Sequence, residues 1–225
     1  MLVLLPPSEG KAHPEAGEPV DLGSLAFAAE LGEKREELID ALDAALLNAP
    51  AAPAAEVYTG VLYGRLELPK LPAKARHRVL IASALWGFVR PDDRIPYYKF
   101  PPKTRLKGIG APAAYWRPAL AKALPDTEGE LVVDTRSAAY STMWKPKRAT
   151  LLAVRAFTES DGERKAVSHM AKAVRGEVAR ALLRARKPPA DPVAAAEIAE
   201  AAGFTVEIAD DGLDVIVAAL TGRQA

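Results

Sequence analysis

The stretch Leu2–Lys11, LVLLPPSEGK, begins the fold and carries the first candidate site. The apolar run Leu2–Leu5 predicts a short buried strand, and Pro6 and Pro7 end it. The Ser-Glu-Gly-Lys turn beyond can present backbone N–H groups and the Lys11 ammonium to a phosphate or carboxylate. It lacks the first glycine and the full spacing of a P-loop. A surface turn after an edge strand explains the same residues equally well.

Further strands and helices follow from apolar patterning along the chain. Apolar runs predict strands at Val79–Ala84, Ile95–Phe100, Leu131–Asp134 and Leu151–Phe157, and a closing hairpin from Phe204–Ile208 and Asp214–Ala218. Helical spacing predicts helices over Glu30–Leu47, Pro112–Leu124, Ser168–Arg186 and Pro192–Ala202. Pro118 would break or start the second of these helices. Asp191 is placed to cap the last helix and Gly203 to end it. The segment Val57–Leu66 fits a short helix or a turn.

The irregular alternation of these strands and helices predicts an α+β or mixed-sheet α/β fold. A chain of 225 residues can form one compact domain, and we expect a single domain over 1–225. Residues 12–24 and 49–55 are predicted loops, because the first has little periodicity and the second is rich in Ala and Pro.

The composition excludes several classes of site. The chain has no cysteine, so it has no thiol nucleophile, iron–sulfur cluster or Cys-based zinc site, and no secreted disulfide framework. The three histidines, His13, His77 and His169, form no metal-binding pattern, and no nucleophile elbow or dinucleotide fingerprint occurs. We therefore expect no metal and no cofactor.

Two further absences concern localisation. The apolar run at Leu2–Leu5 is too short for the apolar core of a signal peptide, and no basic region precedes it. No uncharged apolar run approaches the ~20 residues that a membrane helix needs. The sequence predicts a cytoplasmic protein without a membrane partner.

The formal net charge of +1 hides a segregation of charge along the chain. Residues 1–60 carry 3 basic and 11 acidic side chains, residues 61–190 carry 26 and 11, and residues 191–225 carry 1 and 7. A basic middle between acidic ends predicts a basic face or cleft that attracts phosphates or nucleic acid. Solvated helix faces in an Arg-rich protein would give the same composition.

Aromatic residues cluster among these basic ones. Of the fourteen aromatic side chains, seven lie between Trp86 and Trp116, and several adjoin Arg or Lys, as in Tyr97-Tyr98-Lys99. Bases stack on aromatic rings while Arg and Lys bind phosphate, so the cluster is typical of a nucleotide or nucleic-acid surface. Aromatics that anchor a core under Arg stems are the alternative. We expect a mixture of both.

The segment Lys103–Gly110, KTRLKGIG, with Ala114 four residues on, is similar to the hairpin of a helix-hairpin-helix DNA motif. Pro101 and Pro102 leave no room for a first helix, and Pro118 cuts into the second. A flexible basic loop is the better interpretation.

Several segments together resemble the YaaA family of peroxide stress proteins. They are LLPPSEGK, VYTGVLYG at 57–64, ASALWGFVRPDDRIPYYKF at 82–100, YWRPAL at 115–120, VVDTRSAAYSTMWKPK at 132–147 and HMAKAVRGEVARALLRAR at 169–186. The resemblance implies a cytosolic single-domain mixed α/β protein that limits oxidative DNA damage, in connection with free iron. It also implies duplex and branched DNA as partners, bound at a basic cleft with a helix-hairpin-helix element.

Residues of this chain that match the family motifs would line that cleft. They are Lys11, Tyr58, Gly60, Arg90, Pro91, Tyr97, Asp134, Tyr140, Lys145, Pro146, Lys172, Arg175 and Gly176. The chain is shorter than better-known members. The stretch between the first long helix and Tyr58, where we expect the helix-hairpin-helix element, is a brief Ala/Pro linker.

Two functional hypotheses follow. In the first, a non-enzymatic stress protein binds DNA through Lys11, Tyr58, Arg90, Tyr97, Lys99, Arg136, Lys145, Lys147, Lys172, Arg175 and Arg180. In the second, an enzyme acts on a nucleotide or another small phosphorylated ligand. Its anion would be held by Lys11, Arg90, Arg136, Lys145 and Arg175, and its chemical groups would be Asp134, Tyr140 and Ser137.

A third hypothesis, iron sequestration, has little support. Carboxylates are the only plentiful ligands, and their cluster at 30–43 lies on an exposed face of the predicted helix. The DNA-binding hypothesis is the one we favour.

Overall fold

The fold is built around strand β1 (Leu2–Leu5), whose four residues are all buried. The computed structural model describes residues 1–160 and 163–217, with the backbone alone of Ser160, Ser168 and His169. β1 pairs in parallel with β3 (Val79–Ser83) on one side and with β6 (Leu131–Asp134) on the other. Successive side chains of a strand point to opposite faces, so burial of all four shows that both faces are covered here, as the continuously apolar sequence requires.

The remaining strands complete a mixed sheet. They are β4 (Gly87–Val89), β7 (Thr150–Ser160), β8 (Glu163–Ala166), β9 (Thr205–Ala209) and β10 (Gly212–Val217). The order is β4-β3-β1-β6-β7-β10-β9, and β8 pairs with the far end of β7. The five central strands are parallel, whereas β4, β8 and β9 are antiparallel to their neighbours. Two short strands, β2 (Ala51–Pro53) and β5 (Arg94–Pro96), pair separately.

The described part of the chain also forms helices. They are α1 (Ala28–Leu42), α2 (Ala54–Val57), α3 (Val61–Leu66), α4 (Ala73–Arg76), α5 (Pro112–Ala123), α6 (Ala138–Ser141), α7 (Ser168–Arg184) and α8 (Pro192–Ala201), with 3-10 turns at Ala44–Asn48 and Leu68–Lys70. The long helix α7 packs on α3 and on β7 and buries Val174, Val178 and Leu182. In the described part of the chain, no helix is both long and apolar enough to cross a membrane.

The strand order creates a crevice between β1 and β6. The chain leaves β1 toward β3 on one side, whereas β6 is followed by β7 on the other side. Connections that diverge from two adjacent parallel strands leave an opening at their carboxyl ends, where ligands commonly bind in α/β proteins. The loops after Leu5 and after Asp134 border this opening.

The predicted fold class is confirmed as a mixed-sheet α/β architecture in one compact unit. The strands at Leu2–Leu5 and Leu131–Asp134 have their predicted bounds. Asp191 caps α8 as predicted, since its carboxylate accepts from the Ala194 N–H at 2.9 Å. The closing hairpin is present as β9 and β10, and Ala218, predicted to end it, lies outside the described residues.

Some predicted bounds were wrong. The first helix ends at Leu42 instead of Leu47, because Asp43 is extended and caps a separate 3-10 turn by accepting from the Ala45 N–H. The predicted loop 49–55 contains β2 and the start of α2, because its backbone pairs with β5. That partner strand ends at Pro96, well before the predicted Phe100. The loop 12–24 has neither helix nor strand, as predicted, beyond one isolated bridge at Pro19.

Candidate functional site

A cleft of about 650 Å³ lies at the carboxyl ends of β1 and β6. It is bordered by the loop after β1, the start of α3, the segment 99–102, the loop after β6 and the first half of α7. Its lining residues are Pro6, Pro7, Ser8, Glu9, Gly10, Lys11, Gly60, Val61, Leu62, Tyr63, Lys99, Phe100, Pro101, Pro102, Thr135, Ser137, Ala139, Tyr140, Lys172 and Arg175. Segments distant in sequence therefore meet at the crevice that the strand order opens.

The charged residues of the cleft are mostly cationic. Lys11, Lys99, Lys172 and Arg175 line it, against a single carboxylate from Glu9. Lys172 and Arg175 are three residues apart on α7, so they occupy one face of that helix. Four basic groups around one concave surface create a positive potential that favours an anionic ligand.

Arg175 is less exposed than Lys172, its neighbour on α7. In the structure it is half-buried and turned toward the sheet, where its Nε donates to the Val154 carbonyl at 3.0 Å. Burial lowers the pKa of Arg175, and the charge of Asp134 opposes that shift. The side chain is thereby fixed beside the cleft.

Apolar residues also line the cleft. They include Pro6, Pro7, Pro101, Pro102 and Val61, and Val61 is 56% exposed although it is a large apolar residue. A place in the cleft was predicted neither for the four prolines nor for Val61. The nearness of the prolines to Lys11 and Lys99 in the sequence was the signal that could have found them. A ligand with an anionic part and an apolar part would match this lining.

Lys11 is held in place by backbone pairing. It forms an isolated antiparallel bridge with Tyr58, and the Ala12 N–H donates to the Val57 carbonyl at 2.8 Å. Its Nζ donates to the Ser8 carbonyl at 2.7 Å and lies 4.6 Å from the centroid of the Tyr98 ring. Burial lowers the pKa of Lys11, although the nearby Glu9 partly opposes this. A cation on an aromatic face is oriented before any ligand arrives.

Glycine is required where this loop meets α3. Gly60 precedes α3 with φ of 100°, a backbone conformation that side chains disfavour, and an added Cβ would approach the Ser8 Oγ at 2.8 Å. The Ser8 hydroxyl donates to the neighbouring Thr59 carbonyl. Ser8 and Gly60 both line the cleft, so this close packing helps to shape it.

Tyr58, predicted to bind ligand, is buried beneath Lys11 with 1% of its surface exposed. Its hydroxyl forms a 2.6 Å hydrogen bond with that of Tyr98, which in turn bonds the Ser83 hydroxyl at 2.8 Å. Burial raises the pKa of both tyrosines far above the ordinary value. Tyr58 therefore supports the cleft from behind instead of lining it.

Asp134 and Arg136 are also buried. Arg136 donates from Nε and Nη2 to the two carboxylate oxygens of Asp134, each at 2.8 Å. Its Nη2 also donates to the Trp144 carbonyl at 2.8 Å. These contacts occupy the guanidinium and the carboxylate, so the pair fixes the loop after β6 and neither group lines the cleft.

Hydroxyl groups of that loop do line the cleft. Ser137 is exposed, and Tyr140 is half-buried on α6. Burial, with a contribution from Glu9, raises the pKa of Tyr140 to about 12, so it is a protonated hydrogen-bond donor at neutral pH. Thr135, which was not among the predicted site residues, lines the cleft and donates to the Leu4 carbonyl at 2.8 Å. Of the predicted chemical groups, Ser137 and Tyr140 are brought together with the cations.

The other predicted ligand residues do not line the cleft. Arg90 donates to the His77 carbonyl at 2.6 Å, Tyr97 stacks on His13, and Arg180 pairs with Glu67. Lys145 and Lys147 are exposed on the loop before β7, outside the lining. That loop is anchored by Asp126, whose carboxylate accepts from the backbone N–H groups of residues 147–149.

The glycine-containing segment 103–110 forms a tight turn that leads into α5. The Gly110 N–H donates to the Leu106 carbonyl at 2.9 Å, and Gly108 and Gly110 have positive φ. No helix is present at Pro101 and Pro102 or in the residues just before the turn, as predicted. Pro118 does not interrupt α5, because the helix runs from Pro112 to Ala123. The stretch between α1 and Tyr58 holds a 3-10 turn, β2 and α2.

Most of the clustered aromatics belong to the core. Trp86 and Trp116 are fully buried, and the Trp116 indole N–H donates to the Ala84 carbonyl at 2.8 Å. Tyr98, Phe100 and Trp144 are also buried. We expected some of the clustered aromatics to pack in the core and others to line a site. The core role is confirmed, and of these five aromatics only Phe100 also lines the cleft.

Comparison with known proteins assigns the family. The sequence profile described as "Peroxide stress protein YaaA" matches residues 22–207. The chain belongs to the YaaA family. It is 41% identical over 244 aligned residues to a UPF0246 protein of Streptomyces coelicolor, covering 92% of each chain. It is 37% identical to a UPF0246 protein of Corynebacterium efficiens, covering 92% of this chain and 95% of the relative.

A more distant relative is an uncharacterized protein of Campylobacter jejuni, 33% identical over 150 residues, covering 64% of this chain and 58% of that one. The resemblance to the YaaA family drawn from the sequence is thereby confirmed. Within the described residues of this YaaA-family protein, no group of three or more His, Cys, Asp or Glu side chains is placed to hold a metal ion.

Proposed function

We propose that this YaaA-family protein acts in the cytosol during peroxide stress as a DNA-binding protein whose contact surface is the cationic cleft. The observation that carries the proposal is the convergence of Lys11, Lys99, Lys172 and Arg175 on one concave surface. Phosphate groups dominate the affinity of proteins for DNA, and such a cluster of cations is what they require.

The lack of carboxylate partners for these four cations, within the described residues, supports the proposal. Among the described residues, none of them lies within 4.0 Å of a carboxylate oxygen, whereas basic residues elsewhere, such as Arg155 and Arg164, form ion pairs. A ligand phosphate would therefore displace no internal salt bridge on binding. Phosphate binding would then release condensed counterions from DNA, which gives a steep dependence on salt.

The dimensions of the cleft suggest how much DNA enters it. Its volume of about 650 Å³ lies within the ~300–1,000 Å³ range of small-molecule sites. A single nucleotide fits such a volume, with its phosphate on the cationic side chains and its base or sugar on the apolar ones. The exposed Lys145 and Lys147 outside the cleft would then contact the flanking backbone.

Fluorescence anisotropy with a labelled duplex and a branched DNA tests the proposal. Lys99→Glu and Lys172→Glu should each weaken binding at least about tenfold at ~50 mM salt, because each replaces a phosphate contact with repulsion. Lys122→Glu, an equally exposed charge reversal near the end of α5 outside the cleft lining, is the matched control. Equal losses in all three variants would indicate a general charge effect and contradict the proposal.

An enzyme acting on a nucleotide or small phosphorylated ligand is the second candidate. It is favoured by Ser137 and Tyr140, whose hydroxyls share the cleft with the cations although backbone phosphate binding does not need them. A nucleotide panel assayed for turnover would test it. Loss of turnover in Tyr140→Phe with unchanged ligand affinity would favour the enzyme over the DNA-binding protein.

We further propose that DNA binding limits iron-dependent damage by covering DNA. Plasmid nicking by ferrous iron and hydrogen peroxide, measured with wild type and Lys172→Glu, tests this step. Protection by wild type that is reduced in the variant supports shielding. Equal protection by both proteins would show that the effect does not pass through the cleft.

A further inference from the structure

A second basic groove lies at the opposite end of α7 from the cleft. It has a volume of about 360 Å³ and lies between α4, the residue before β3 and the carboxyl end of α7. Its basic lining residues are Lys70, Lys74, Arg78, Arg184 and Arg186. No Asp or Glu is among its lining residues, all of which lie in the described part of the chain. We call this surface the α7-end groove.

Arg78 brings hydrogen-bond donors without acceptors to the α7-end groove. Its Nη2 donates to the Leu183 carbonyl at 2.9 Å. Its Nε and Nη1 are buried and donate to no group among the described residues. Burial lowers the pKa of Arg78. Buried N–H donors without a partner are unfavourable, and an oxyanion in the groove would supply an acceptor for one of them.

The nearby carboxylates are already engaged. Glu67 pairs with Lys70 at 2.5 Å and with Arg180, and Asp92 pairs with Arg76 at 2.8 Å. Lys74, Arg184 and Arg186 are exposed and form no ion pair within the described part of the chain. The groove therefore keeps an excess of positive charge.

The end of α7 accounts for part of this charge. Carbonyl groups at a helix carboxyl end carry about half a negative charge and attract cations, and Arg78 donates to one of them. Five basic residues carry far more positive charge than is needed to balance the half negative charge at the end of α7. They also converge on a concavity, whereas cations that only cap a helix can point outward into solvent.

We propose that the α7-end groove is a second binding site for a phosphate-type oxyanion, separate from the cleft. Arg78 is the central donor, and Lys74 and Arg184 close over the anion from the two sides of the groove. Arg175 and Arg184 are nine residues apart on α7, so the two sites are separated by about 13 Å along the helix axis. The oxyanion is either a free phosphate compound or a phosphate of a nucleic-acid backbone.

Arginine side-chain NMR tests the proposal in one titration, because Arg78 and Arg175 each report on one site. Pyrophosphate is added to protein labelled with nitrogen-15, and the Nε–Hε signals are assigned with Arg78→Lys and Arg175→Lys. We expect a saturable shift of the Arg78 signal that weakens at least about fivefold in Lys74→Ala/Arg184→Ala, while the Arg175 response is unchanged. Lys122→Ala is the control and should leave both responses unaltered.

A second arm identifies the source of the anion. If a nucleic-acid backbone occupies the groove, Lys74→Ala/Arg184→Ala lowers the slope of log affinity for a duplex against log salt by about two. If a free phosphate compound occupies it, pyrophosphate binding weakens and the duplex slope stays the same. An Arg78 signal that does not saturate, or that shifts equally in the double variant, overturns the proposal whether or not the cleft binds DNA.

Discussion

The Asp134 carboxylate and the Arg136 guanidinium, two residues apart in sequence, form a buried two-pronged ion pair directly behind the cleft. The Asp134 Oδ1 also accepts from the Arg136 N–H at 2.9 Å, so one carboxylate fixes both the backbone and the side chain of Arg136. The turn that carries Ser137 and Tyr140 into the cleft begins at this pair.

Breaking the pair should destabilise the protein strongly. Arg136→Ala leaves a buried carboxylate without its cation, and such losses cost roughly 3–5 kcal/mol in the free energy of unfolding. Urea denaturation measures it. Arg164→Ala, which breaks exposed pairs with Glu159 and Glu207, is the control and should cost about 1 kcal/mol or less. A small loss in Arg136→Ala would show that the pair is not structural.

Lys11 should make phosphate binding sensitive to alkaline pH. Its pKa is lowered from 10.5, and only the protonated amine attracts an anion, so affinity should fall as pH rises through that lowered pKa. In Lys11→Arg the guanidinium stays protonated, so the decline should move to higher pH. Pyrophosphate titrations of the two proteins across alkaline pH measure the shift. Identical pH profiles would mean that Lys11 does not contact the anion.

Tyr58→Phe should affect stability and not binding. The change removes the hydrogen bond to the Tyr98 hydroxyl, which keeps its bond to Ser83, and the expected cost is about 1 kcal/mol in the free energy of unfolding. DNA affinity measured by anisotropy should stay within about twofold, since Tyr58 is buried behind Lys11. A large loss of DNA affinity in a stably folded Tyr58→Phe variant would show that Tyr58 contributes to DNA binding after all.

Two helical glycines should respond in opposite directions to alanine. A Cβ at Gly176 of α7 would overlap the Leu62 carbonyl oxygen of α3, so Gly176→Ala should force these helices apart and cost roughly 1–3 kcal/mol. Gly64 of α3 has open space around a built Cβ, and Gly64→Ala should stabilise the helix by about 0.5–1 kcal/mol. Thermal denaturation compares them, and equal effects would contradict close packing at Gly176.

The sequence predicted the local elements of the fold well where the pattern was strong. The continuously apolar runs of β1 and β6 have the predicted bounds, and Asp191 and Gly203 flank α8 as expected. It missed β2, because a three-residue strand of Ala and Pro has no recognisable pattern and exists only through its pairing with β5. The break after α1 depends on the side chain of Asp43, which helical periodicity does not register.

For the candidate site, the sequence supplied the residue types but not their arrangement. It named Lys11, Lys99, Lys172, Arg175, Ser137 and Tyr140, all of which line the cleft. It also named Tyr58, Asp134 and Arg136, which are buried behind it. Burial of a polar residue depends on partners distant in the chain, such as Tyr98 for Tyr58 and Trp144 for Arg136.

The sequence by itself determined the family, the mixed α/β class and the excess of basic residues in the middle of the chain, because these depend on local pattern and composition. Only the tertiary structure decided which cations share a surface. Lys11 and Arg175 meet because β1 and β6 are neighbours whose chain connections diverge, and Arg78 and Arg184 meet at the other end of α7. Strand order is set by non-local pairing, and that pairing gathers basic residues from distant parts of the chain around two separate concavities.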